Sequence, residues 1–378
     1  MKLKKIIIIY PSFERGGIEN ILVNLINELT NKKILIEIIT ISDKLKSSRL
    51  LKVSKYLYIN STPKKNNFFL SNRINLALQA AKLLIKSIKK TNHENSIIFS
   101  MQSSMIPILI SKFYKIKIVA RNAEDPISSF MYSGKKIYSS VIFLLRFLIY
   151  NLSDGIITNS YGSKKSLGVF LLNKRKICAI YNPYLKKINT IKKSKKKKQI
   201  LAVGRFCKQK NFEFLINAFN IFSKKNPDYK LILLGDGEYK KRIKKLILSL
   251  NLSKKILLKG WVKDTNKYFL ESKLFVIPSL YEGLGNVVID SLNNNTPVIA
   301  SKCRSGPREI IKENKGGYLV DINNLNQTTD KMNYCINNYK EAISKTKYGR
   351  LYLSRFLIKN GSEFYLNFLN KVLITKKL

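Results

Sequence analysis

Pro278-Ser279-Leu280-Tyr281-Glu282-Gly283-Leu284-Gly285-Asn286-Val287-Val288-Ile289-Asp290 reads as a loop opening into a helix. The apolar run just before it, Lys273 to Pro278, has the character of a buried parallel strand. Asn286 to Asn294 reads as a short helix, and Pro297 to Ser301 as a second strand. A loop from Lys302 to Gly306 follows. Pro307 then opens another helix, Arg308 to Lys312, since proline suits the first helical position. The whole is a β-loop-α-β-loop-α unit. Its first loop carries two glycines, Gly283 and Gly285, which let backbone approach a ligand. The fresh helix N-terminus offers N–H groups to an anion. Glu282 and Asp290 stand eight apart, and carboxylates there suit sugar hydroxyls better than phosphate. The combination points to a nucleotide-sugar site, with backbone for the diphosphate and acids for the hydroxyls.

A chain of 378 residues exceeds one ordinary core, so two domains are expected. Its composition, 45% hydrophobic and 25% charged, is globular rather than disordered. Met1 to Tyr10 is basic and then apolar, but too short for a secretory leader and without a small-residue cleavage site. It reads as the first strand of a parallel sheet. No uninterrupted apolar run reaches about 18 residues, so no spanning helix is expected. Cys178, Cys207, Cys303 and Cys335 show no metal-ligand spacing, which leaves a reduced, cytoplasmic protein with no metal.

The charge is extreme, 70 Lys+Arg against 23 Asp+Glu, or +47. Compositional drift in a chain rich in Lys, Asn and Ile is one source. Attraction to anionic lipid, worth about 1 kcal/mol per basic residue near a membrane, is another. Nucleic acid is not expected, because no binding motif accompanies the charge. Ile137 to Leu152 is an apolar-rich helix, read either as core or as an interfacial helix. His93, the single histidine, lies in a polar loop and reads as exposed.

Three further places carry candidate chemistry. Gly16 and Gly17 lead from the first strand into a helix, either as a phosphate-type turn or as an ordinary one. Gly204-Arg205 ends the strand Gln199 to Gly204, and Lys210-Asn211 precedes the helix Phe212 to Phe222. Two cations at such a turn can neutralise a diphosphate. Arg121, Asn122 and Glu124 follow a strand of the first half, where ligands of open α/β sheets collect, and face the acceptor side. The rest reads as helices Asn326 to Ser344 and Tyr348 to Asn360, then Gly361 and a last helix Glu363 to Ile374.

Pro278-Ser279, Glu282-Gly283-Leu284-Gly285 and Asp290, with Val203-Gly204-Arg205 and Lys210-Asn211, resemble glycosyltransferase family 4. Asp290 stands where that family's second Glu is usual, which keeps the charge and shortens the arm by one methylene. Gly16-Gly17 resembles the family's N-terminal glycine loop, and Gly260-Trp261-Val262 its base-cupping segment. The matches lie mainly in residues 199–321. The resemblance implies an α/β GT-B fold, two Rossmann-like parallel-sheet domains facing across a cleft. Residues 1–185 would form the acceptor domain, 186–198 a solvated basic linker, 199–360 the donor domain, and 361–378 a C-terminal helix that can cross back. It implies retaining, metal-independent transfer from a nucleotide-diphosphate sugar, a UDP-sugar first, and no cofactor. Glu282, Arg205 and Lys210 would be catalytic. Gly16, Gly17, Gly204, Trp261, Val262, Gly283, Leu284, Gly285 and Asp290 would bind the donor. The acceptor would be a polyprenyl- or lipid-linked glycan of a bacterial surface polysaccharide pathway, met at the inner face of the plasma membrane. A non-catalytic GT-B polyanion- or partner-binding protein and a GT-B sugar-nucleotide epimerase stay open.

Overall fold

The computed structural model describes residues 3–11, 17–41, 51–52, 54–61, 72–102, 104–134, 136–191 and 195–375. Two parallel sheets carry the architecture. The first holds β1 (Lys5–Ile9), β2 (Leu35–Thr40), β3 (Leu57–Ser61), β4 (Ser96–Ser100), β5 (Lys117–Asn122), β6 (Gly155–Thr158) and β7 (Ile177–Ala179), in the order β3-β2-β1-β4-β5-β6-β7. The second holds β8 (Lys197–Val203), β9 (Lys230–Leu234), β10 (Ile256–Gly260), β11 (Ser272–Ile277), β12 (Val298–Ser301) and β13 (Tyr318–Val320), in the order β10-β9-β8-β11-β12-β13. Each sheet reverses its strand order beside its own first strand, between β1 and β4 and between β8 and β11. Such a reversal opens a crevice at the carboxyl ends of the strands. The strands are apolar runs because helices cover both faces. Ile6, Ile8 and Phe99 pack to one side of the first sheet, and Ile7, Ile9 and Ile98 to the other.

The chain crosses between the sheets twice, side by side. Tyr184 and Leu185 donate their backbone N–H groups to the Phe356 carbonyl (3.0 and 2.8 Å), and Ile358 donates to the Leu185 carbonyl (2.9 Å). The last helix, Ile358–Ile374, then returns to the first domain. Tyr365, Leu369, Val372 and Leu373 sit in one core with β1, β2 and β4.

Several local expectations are corrected. Gly361 does not separate helices but lies inside the last one, where a Cβ would come within 3.1 Å of Pro183. The expected helix over 326–344 is two, Leu325–Asn337 and Tyr339–Arg350, broken at Asn338. Asn338 leaves helical geometry (φ −105°, ψ +48°) and closes the first helix by donating both its backbone N–H and its side-chain amide to the Tyr334 carbonyl (2.8 and 3.1 Å). Tyr348 to Asn360 is not one helix either, because a 3-10 turn, Leu353–Phe356, drives Leu353 and Phe356 into the core. His93 is half-buried, its Nε2 3.2 Å from the Ile88 carbonyl at a helix end. The described part of 186–198 is mostly exposed, but it is pinned at Asn189 and Lys196. Lys196 Nζ donates to Phe269 O and Thr296 Oγ1 (both 3.2 Å), and Arg350 donates to the Asn189 carbonyl (2.6 Å). Burial pushes the Lys196 ammonium down to about 8.

Candidate active site

β11 ends at Ile277, and its loop reaches the helix Asn286–Asn293 through Gly285, whose φ of +85° is left-handed and favours glycine. Glu282 sits inside that loop with its side chain 7% exposed. Its Oε1 accepts from Ser279 Oγ (2.6 Å) and forms a close ion pair with Lys210 Nζ. Its backbone carbonyl accepts from Ser305 Oγ (2.6 Å). The two loops at the ends of β8 and β11 are sewn together: Leu280 donates its N–H to Gln209 O (2.8 Å), and Gln209 Nε2 to Tyr281 O (3.0 Å). The Lys210 stem crosses Gly204, where a Cβ would stand 3.3 Å from it. Lys210 is thus committed to Glu282. Arg205, at the mouth of the same turn, is exposed, and among the described residues its guanidinium has no protein partner.

Asp290 lies one helical turn beyond Asn286, so both present to the same side. The extended strap between the sheets runs along that side. Asn182 Nδ2 donates to Asn286 Oδ1 (3.1 Å), and the Tyr184 hydroxyl to Asp290 Oδ2 (2.6 Å). Although part of Asp290 stays exposed, the crowded carboxyl is pushed by burial up to about 7, against the lowering effect of the Tyr184 hydrogen bond. Burial, then the Asp290 charge, pushes the Tyr184 hydroxyl up as well. Trp261 is 53% exposed just past β10, and Val262 packs partly against the second domain's core. Leu284 is buried in that core.

The first domain closes the site from the other side. Gly17 starts the helix Gly17–Asn31, and a Cβ there would lie 3.8 Å from Asn286 Nδ2. Gly16 lies outside the described residues. Gly283 touches Ala123 so closely that a Cβ would stand 1.9 Å from the Ala123 carbonyl oxygen. Arg121 is buried, with Nε donating to Tyr365 Oη (3.2 Å) and one terminal nitrogen to Asn182 Oδ1 (2.8 Å). It ties β5 to the strap and the returning helix, rather than standing open on the acceptor side. Asn122, also buried, donates to the Glu124 carbonyl (2.5 Å), while the Glu124 side chain is exposed. Tyr132 of the first domain stacks on Tyr281 beside Glu282, ring centres 6.0 Å apart.

Sequence reasoning missed Asn182, Tyr184 and Glu309. Glu309 reaches from the second domain to the first turn of the helix Tyr161–Gly168 and accepts from the N–H groups of Tyr161 and Gly162 (2.8 and 2.7 Å) and from Tyr181 Oη (3.2 Å). A carboxylate opposite a helix N-terminus meets its free N–H groups and positive end. The available signal was an acid just after Pro307 in a chain with few acids. No group of three or more His, Cys, Asp or Glu side chains is placed to hold a metal among the described residues.

Two α/β units with parallel sheets, a strap and a returning C-terminal helix make this a GT-B fold. HepE of Anabaena, solved in complex with UDP, superposes with a TM-score of 0.77 at 17% identity, covering 98% of this chain and 100% of that one. Residues 185–351 match the family described as Glycosyl transferases group 1. The chain is 35% identical over 240 residues to an uncharacterized glycosyltransferase of Methanocaldococcus jannaschii, 58% of this chain and 57% of that one. It therefore spans little more than half the length of that relative. It is 29% identical over 333 residues, 86% of this chain, to a Campylobacter jejuni protein and spans 88% of it. That protein is the N-acetylgalactosamine-N,N'-diacetylbacillosaminyl-diphospho-undecaprenol 4-alpha-N-acetylgalactosaminyltransferase. Residues 185–351 thus resemble a group 1 glycosyltransferase domain, and the chain is similar to known glycosyltransferases over much of its length.

Proposed function

We propose that this chain moves a sugar, with retention and without a divalent ion, from a nucleotide-diphosphate sugar to a lipid-carrier-linked glycan. A UDP-sugar is the first donor to test. The observation that carries this reading is Glu282, held by Lys210 and Ser279 between the Gly204-Arg205 turn and the N-terminus of Asn286–Asn293. Because Oε1 is already occupied, Oε2 is the atom left to accept from donor-sugar hydroxyls. As the sugar–phosphate bond breaks, negative charge grows on the leaving diphosphate. The helix N-terminus is fixed beside that place and opposes this charge with little reorganisation, and the exposed Arg205 guanidinium, free of protein partners among the described residues, turns onto it. Lys210 acts one step back, holding the Glu282 carboxylate in place. Asp290 holds ribose hydroxyls with the oxygen that Tyr184 leaves over. Support for a lipid-linked acceptor comes from the undecaprenol-linked substrate in the Campylobacter relative's name.

The test is calorimetry and thermal shift against UDP-, GDP-, ADP- and CDP-sugars, since a ligand that binds the folded state stabilises it by mass action. One nucleotide class should bind, and Glu282→Gln should abolish transfer while leaving the fold intact. Full turnover by Glu282→Gln removes the assignment.

A further inference from the structure

The helix Lys136–Asn151 turns an apolar face outward. Ile137, Val141, Leu144, Leu145, Leu148 and Leu152, recurring at helical spacing through the residue after the helix, are all exposed, Ile137 at 85% and Leu148 at 54%. Two neighbouring elements extend the face. Met131 is exposed at the end of the preceding short helix, whose Phe130 packs on Phe143 with ring centres 5.0 Å apart. Leu172, 91% exposed, is stitched to the helix by its N–H on Asn151 Oδ1 (2.9 Å), and Phe170 beside it packs edge-on against Phe143 (4.8 Å). A contiguous apolar patch of this kind marks an interaction site.

Charge says what covers it. From residue 126 to residue 153 the chain holds no acidic side chain. Directly after Leu172 comes the basic turn Lys174–Lys176, with Lys174 and Arg175 exposed and Lys176 Nζ on the Asn151 carbonyl (3.3 Å). Apolar side chains on one face with cations at its end suit a bilayer bearing anionic headgroups, which draws in both. A second copy fits poorly, because two chains of +47 repel. The helix is about 24 Å long at 1.5 Å per residue and lies flat on the domain, so it seats on a surface rather than spanning one. Among the described residues no helix is long and apolar enough to cross a membrane.

We infer that this face docks onto an anionic lipid bilayer, with the apolar stripe in the headgroup–acyl boundary and the Lys174–Lys176 turn on lipid phosphate. The face borders the candidate site: Met131 adjoins Tyr132, which stacks on Tyr281 beside Glu282. A docked bilayer therefore lies along one lip of the cleft. The inference rests on the transferase reading only for what the bilayer would deliver there.

The experiment is vesicle flotation of the full chain with phosphatidylglycerol/phosphatidylethanolamine vesicles against pure phosphatidylcholine vesicles, with size-exclusion chromatography alongside. Wild type should float with the anionic vesicles. Leu144→Ser with Leu148→Ser should weaken flotation about tenfold or more. Lys174→Glu with Arg175→Glu should weaken it too, and Lys241→Glu with Lys245→Glu, exposed on the second domain, should not. Nucleotide-sugar thermal shifts of the apolar pair should equal wild type, which keeps this test separate from that of the donor site. Wild-type flotation by the apolar pair overturns the proposal, as does equal loss in the second-domain pair, which would mean unspecific polycation binding. A wild-type dimer that the apolar pair splits also overturns it.

Discussion

Lys210→Met is the most informative perturbation of the site. It leaves Glu282, whose side chain is 7% exposed, with the Ser279 hydroxyl as its remaining side-chain partner. Breaking a buried ion pair from one side strands a charge and costs about 3 to 5 kcal/mol. For a domain of this size that lowers the melting temperature by on the order of 10 °C. Glu282→Gln should cost less, because Lys210, 18% exposed, can turn toward water once its partner is gone. The double variant should be more stable than the two single losses predict, by about 1 to 3 kcal/mol, since the stranded carboxylate is removed with its cation. Chemical denaturation of the four proteins gives this coupling directly. Strict additivity, or a loss below about 1 kcal/mol in Lys210→Met, would mean that Lys210 does not hold Glu282.

Three further outcomes follow from the site and its surroundings. The folded Asp290 carboxyl, at about 7, lies above its ordinary 3.8, so the native state holds the proton more tightly between those values. Stability should therefore fall as pH rises from about 4 to 7 and level off above, and Asp290→Asn should flatten that limb in denaturation melts across pH. Gly283→Ala would put a Cβ 1.9 Å from the Ala123 carbonyl and must part the domains. Small-angle scattering should show a larger radius and turnover should fall roughly a hundredfold, the cost of about 1 Å of misplacement, while Gly134→Ala, in open space, changes neither. Glu309→Ala should cost about 1 to 2 kcal/mol by taking the carboxylate partner from the Tyr161 and Gly162 N–H groups, although Ser160 still caps the helix, and this is read as a lower denaturation midpoint that Glu309→Asp partly restores.

Most strands of both sheets were legible because they are short apolar runs stopped by a glycine or a polar turn, as in Leu231 to Gly235, whereas the outermost strands Leu57–Ser61 and Tyr318–Val320 were not read, being short and only partly apolar or only three residues long. Glu282, Gly283 and Gly285 were legible because chemistry and helix start fall within one short stretch. What escaped was set by contacts distant in sequence. Nothing near Tyr184 announces that its hydroxyl meets Asp290, 106 residues away. Gly361 reads as a breaker until Pro183 is seen against it, when the missing Cβ explains a close crossing inside a helix. Lys196 reads as solvated until its ammonium is found on Phe269 O and Thr296 Oγ1, because a long aliphatic stem lets lysine travel along apolar surface. Arg121 was placed correctly at a strand end, but its partners come from two other parts of the chain.

The returning helix sets an order on synthesis. Domains usually fold as units while the chain emerges, the N-terminal one first. Here Tyr365, Leu369 and Val372 complete the core of the first sheet, so that domain waits for residues made almost 200 positions after its last strand. Until then the second domain can form alone while the first shows the ribosome-proximal cell an open apolar trough. A message cut short just before residue 358 would yield a protein with an intact candidate donor half and an unfinished partner. Such a product should be drawn to chaperones and proteases rather than persist as a half-active enzyme.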